Sequence, residues 1–121
     1  MAATAYDAAM SDSPEASPEA VALYDEAIAL RNAGDDAGSL AKLEELVKVD
    51  AENPTVYSAL AVQYQKADRC DEAIAAAKKV VELLPDDTFS YSQLSVICQR
   101  CGRIEEAETA LAKGHGAPRP M

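Results

Sequence analysis

Asn53-Pro54-Thr55-Val56-Tyr57-Ser58-Ala59-Leu60-Ala61-Val62-Gln63-Tyr64, with Ala73, Ala77 and Pro85 beyond it, is the stretch that decides how this chain folds. Asn53 is a helix-capping residue, and Pro54 suits the first helical position, where no N–H is needed. The helix so opened runs to about Ala67. A second starts near Asp71 and is stopped by Pro85. The pair then recurs. Tyr57 and Tyr91 stand 34 residues apart, as do Leu60 and Leu94, Glu72 and Glu106, and Ala73 and Ala107. One step earlier the same register falls on Leu23, Ala27, Gly34 and Ser39. A fixed period in this range marks stacked supersecondary units.

Start and stop residues divide the rest of the chain in the same way. Ser17 can cap a helix that Pro18 opens and Gly34 ends, and Glu19 favours the positive end of its dipole. The next runs from about Asp36 to Val49. Thr88 can cap a fifth helix ending at Gly102, and a sixth runs from Ile104 to Lys113, closed by Gly114. Nothing reads as a strand. The units are therefore about 20–53, 54–87 and 88–113, inside a domain of 17–113. Residues 1–16, rich in Ala, Ser, Asp and Pro, read as a flexible acidic leader and 114–121 as a second flexible tail.

Tyr57-x2-Leu60-Ala61-x2-Tyr64, then Ala73-x3-Ala77, then Pro85, resembles the tetratricopeptide repeat. The third unit is similar, with Tyr91, Leu94, Ser95, Cys98, Ala107 and Leu111. The first is weaker: it has Leu23, Ala27, Leu30, Ser39 and Leu43, with Ala51 where Pro is usual. The resemblance implies an all-α, right-handed α-solenoid of three helix-turn-helix units. Ala27, Ala61 and Ser95 would stand where the two helices of a hairpin cross, with Ala73 and Ala107 facing them. One hairpin cannot bury its apolar face alone, and about three make the usual minimum.

The resemblance also implies a function: holding a peptide or partner protein on the concave face lined by first helices, without catalysis. The residues it places there are Tyr24, Ile28, Arg31, Ser58, Val62, Gln65, Lys66, Ser92, Val96, Gln99 and Arg100. Ile28, Val62 and Val96 would form an apolar strip. Arg31, Lys66 and Arg100 would gather at one end, suiting a ligand with an acidic end. Some relatives grip a C-terminal carboxylate with a Lys/Asn clamp. Here Ser58, Val62, Ser92 and Val96 occupy those places, which argues against that use.

A formal net charge of −10 excludes nucleic acid and anionic membranes as natural partners, since both need clustered Lys and Arg. Asp7 and Asp12 lie where a signal peptide needs a basic start and an apolar run. No stretch approaches a membrane span. Three cysteines, an odd number, argue against a secreted disulfide framework and for a reducing cytoplasm. The sequence implies no cofactor.

Cys98-x2-Cys101 with Cys70 and His115 would suit zinc by ligand type. The register favours a simpler reading. Cys98 falls where Tyr64 and Leu30 fall, as a small core residue, and Cys101 parallels Ala33 and Ala67. Redox chemistry would need a thiolate at a helix N-terminus, whereas the pair sits near a C-terminus. Two further readings stand beside ligand binding. The last helix, with Ala107, Ala110 and Leu111, would leave an apolar edge for self-association. The acidic leader would fold back on Arg31, Lys66 and Arg100 as a pseudo-ligand.

Overall fold

The computed structural model describes residues 17–115. Those residues form six α-helices and no strand: α1 (Pro18–Asn32), α2 (Asp36–Val49), α3 (Pro54–Lys66), α4 (Cys70–Leu83), α5 (Thr88–Arg100) and α6 (Ile104–His115). Each odd-numbered helix pairs with the next as a hairpin, and α2–α3 and α4–α5 contacts join hairpin to hairpin. This is a helical-repeat solenoid. The first helices α3 and α5 also touch directly, as on the inner side of a curved stack.

The turn within each hairpin is the same device three times over. The residue after the C-cap takes positive φ: Gly34 at +90°, Asp68 at +64° and Gly102 at +77°. The next N–H reaches back to the helix, Asp35 to Leu30, Arg69 to Tyr64 and Arg103 to Cys98, each at 2.8 Å. These are Schellman closures, which satisfy carbonyls that the helix end leaves unpaired. A left-handed residue costs a side-chain-bearing amino acid most, so two of the three are glycine.

Helix boundaries follow the sequence with two changes. Ser17 accepts from the Ala20 N–H at 3.1 Å, and Asn53 accepts from the Thr55 N–H at 2.9 Å. At α5 the cap is Asp87, not Thr88: its carboxylate accepts from the Phe89 N–H and the Ser90 hydroxyl, and Thr88 becomes the first helical residue. Gly114 does not end α6, which runs on to His115. The glycine is buried, and a Cβ there would stand 2.7 Å from the Cβ of Tyr91, so the last turn docks because the residue lacks a side chain.

The core is a continuous stack of small and branched residues. Ala27, Ala61 and Ser95, with Ser39, Ala73 and Ala107, are buried at the helix crossings. Leu43, Leu46, Val56, Leu60, Val80 and Leu94 fill the space between them. Tyr57 and Tyr91 tie each unit to the preceding loop, their hydroxyls donating to the carbonyls of Ala51 (2.8 Å) and Pro85 (3.0 Å).

Candidate protein-binding face

The residues expected on an inner face lie on α1, α3 and α5. Val62 and Val96, on successive first helices, are 39% and 43% exposed, and Ile28 is half-buried against the core. Phe89, at the start of α5, is 73% exposed. It stands 34 residues beyond Thr55, a place that the sequence reading passed over. Its place three residues before Ser92, one helical turn along the same face, is the signal that could have found it. Phe89 borders a shallow cavity of about 210 Å³ with Thr55, Ser58, Leu84 and Gln93.

Polar contacts cross between the first helices. The Ser58 hydroxyl donates to Gln93 Oε1 at 2.7 Å, and Arg100 Nη1 reaches Gln65 Oε1 at 3.5 Å. Ser92 is half-buried, while Arg31, Lys66, Gln99 and Arg100 are exposed. Each of the three cations occupies the last turn of its helix, where it complements the helix dipole.

Elsewhere most cations are paired: Lys42, Arg69, Lys78, Lys79 and Arg103 make ion pairs, whereas Arg31, Lys66 and Arg100, like Lys48 and Lys113, make none among the described residues. Arg69 bonds Glu72 at 2.7 Å, approaches Glu44 at 3.6 Å and lies 4.8 Å from the ring centre of Tyr64. Arg103 repeats the pattern with Glu106 and Asp71, and Lys78 adds a contact to Glu106 at 3.3 Å. Hydrogen bonds from these bases hold the Glu72 and Glu106 carboxyls below their usual range.

Tyr24 departs from its expected place. It is only 8% exposed and belongs to the core with Ala20 and Ala27. Its register equivalents Ser58 and Ser92 are half-buried, so the seat is sheltered and a large ring there packs inward. The open edge expected on α6 also shrinks: Ala107 and Ala110 are buried inside the chain, leaving Ile104 and Leu111 exposed.

The cysteines divide otherwise than their odd number suggests. Cys70 opens α4 and Cys101 caps α5; the two turns stack, their Cα atoms lie 5.7 Å apart, and a disulfide joins them. Cys98 alone is free, and it is wholly buried. Burial raises its thiol above the ordinary cysteine range. The zinc set proposed from the sequence is thus split between a disulfide and a core thiol, and no group of three metal-binding side chains occurs among the described residues. The His115 side chain, the leader of residues 1–16 and the chain after 115 lie outside the described residues. None of the described helices is long and apolar enough to cross a membrane.

No family model matches the sequence. The chain is 30% identical over 71 residues to the protein STIP1 homolog of Dictyostelium discoideum. The match takes in 59% of this chain and 13% of the length of that curated relative.

Proposed function

We propose that the chain is a non-enzymatic binding module that holds a peptide or partner protein along the face of α1, α3 and α5. The observation that carries this is the pairing of exposed apolar groups with unneutralised cations on one face. Val62, Val96 and Phe89 stay open to solvent although their chain neighbours Ala61, Gln63, Ser95, Ile97 and Ser90 are buried. Arg31, Lys66 and Arg100 carry no ion pair among the described residues, although acidic residues outnumber basic ones 21 to 11 in the chain. An extended peptide with apolar side chains and an acidic end complements both features. Ile28, Ser58, Gln65, Ser92 and Gln99 supply the adaptable remainder of the surface. A reducing cytoplasm would hold Cys70 and Cys101 as thiols, so the bond between them counts against the cytoplasmic expectation.

The test is a peptide array that varies apolar content and terminal charge, read against the Val62→Glu/Arg100→Glu double variant. Peptides with an apolar centre and an acidic end should bind the natural chain. The double variant should lose about a hundredfold or more in affinity, roughly 3 kcal/mol, with unchanged helicity. Equal binding by the two proteins would discard this face as the site.

A further inference from the structure

A second cavity lies on the other side of the stack, where α4 and α6 stand apart above α5. It measures about 460 Å³ and is lined by Lys78, Val81, Leu94, Cys98, Ala110 and Lys113 among others. That size is within the range of ligand sites. Its origin is visible one unit earlier. Cys98 stands 34 residues beyond Tyr64, and Lys78 the same distance beyond Glu44. In the second unit the Tyr64 side chain spans from α3 to α2, and its hydroxyl donates to Glu44 at 2.7 Å. The guanidinium of Arg69 lies over the same ring. In the third unit the ring is replaced by a thiol, which lies wholly buried at the base of the cavity.

We propose that this cavity seats an aromatic side chain of a protein partner, one whose outer end accepts a hydrogen bond or carries a single negative charge. The repeat supplies the shape, since an aromatic ring fills the corresponding place of the preceding unit. Charge supplies the choice of ring. Where Glu44 accepts a phenol hydroxyl, Lys78 presents an ammonium donor, so the polar tip of the guest must be an acceptor. Lys113 lines the same mouth and makes no ion pair among the described residues. Lys78 is held by Glu106 at an exposed site, a pairing weak enough to yield to a guest. Glu82 and Glu105 also border the mouth. They disfavour a doubly charged phosphate ester and leave a neutral or singly charged acceptor as the fit. Val81, Leu94 and Ala110 offer apolar walls to the ring, and aromatic side chains are the usual anchors of protein interfaces. This site is independent of the inner face and does not need that reading to hold.

Three para-substituted toluenes that differ only in the polar tip test it in an NMR titration of the full chain: 4-methylbenzoate, 4-methylphenol (the tyrosine side chain) and 4-methylbenzylamine. Saturable shifts are expected at the amides of Leu94, Cys98 and Ala110, with dissociation constants on the order of 1 mM and the benzoate tightest. Cys98→Tyr should fill the space from within, raise the melting temperature and weaken the benzoate about tenfold or more. Thr109→Trp, at an exposed position on the rim, should also weaken it and does not depend on core repacking. Absence of saturable shifts up to about 10 mM overturns the proposal. So does a preference for the amine, or undiminished binding by a folded Cys98→Tyr or Thr109→Trp protein.

Discussion

The second and third units are built on one plan and finished differently. Both have a side-chain cap at the first helix, a tyrosine hydroxyl on the preceding loop, a Schellman turn and an Arg–Glu pair at the start of the second helix. Three of the seats at which they part change space and polarity most. Tyr64 is answered by Cys98, Gln63 by Ile97 and Asp68 by Gly102. The second unit places polar and bulky groups where the third places small or apolar ones. The consequences are local: a filled gap against an open cavity, an amide oxygen with no donor against a buried isoleucine, a side chain at positive φ against none. A repeat therefore fixes the backbone, and its variable seats decide where space and polarity are left.

The largest effect should come from the bond that ties the two units together. Cys70 and Cys101 are separated by 31 residues, and closing a loop of that length restrains the unfolded chain by about 3.7 kcal/mol. Cys70→Ser should lose about that much in urea unfolding under oxidising conditions. In reductant, the variant and the natural chain should coincide. A variant that unfolds like the oxidised natural protein would show that the bond contributes nothing. Next in size is the reverse of the cavity-filling change: Tyr64→Cys makes the second unit like the third. It removes a half-buried ring and its bond to Glu44, and should cost about 2 kcal/mol while opening a matching cavity. A loss no greater than that of Tyr64→Phe would mean that the ring fills no space.

Gln63→Ile borrows a residue from the third unit in the other direction. Gln63 is 3% exposed and its Oε1 has no hydrogen-bond partner, a burden of about 1 to 2 kcal/mol that an apolar side chain does not carry. The variant should be more stable by about 1 kcal/mol. Loss of stability instead would assign the amide a donor. Asp68→Gly relieves the left-handed turn, and its gain should be smaller, about 0.5 kcal/mol.

Much of this architecture was legible in the sequence, because period and punctuation are local. Tyr57 and Tyr91, the small residues Ala61 and Ser95, and Gly34 and Gly102 all announce their seats by spacing alone. The disulfide was not legible. Its halves belong to different units, and only the stacking distance between two turns brings Cys70 to Cys101. Counting thiols gave the wrong weight to an odd number, since the third is enclosed. Tyr24 illustrates a different limit: the register assigns a residue to a face, but side-chain size decides whether it lies in or out. Phe89 was overlooked because its equivalent, Thr55, is small and polar. The cap of α5 turned on whether Asp87 or Thr88 reached the free N–H groups, a one-residue choice that adjacent capping residues leave open.

The smallest effect separates the two units by pH. Tyr64 titrates above the ordinary phenol range, first because burial disfavours the anion and then because its hydroxyl is bonded to Glu44. Cys98 titrates above the ordinary thiol range, first because of burial. Both are neutral acids whose folded values are raised. Each contribution is therefore complete below the unfolded value and is lost as pH rises from there toward the folded one. The unfolded values are near 8.5 for a thiol and 10 for a phenol, so the third unit should begin to weaken at lower pH than the second. The urea midpoint, followed from neutral to strongly alkaline pH, should show two declines. Cys98→Ala should abolish the earlier one and Tyr64→Phe the later, once general alkaline destabilisation is subtracted with the double variant. A single decline unaffected by Cys98→Ala would mean that the thiol is as free to ionise in the folded chain as in the unfolded one, and the floor of the cavity would then have to be wet.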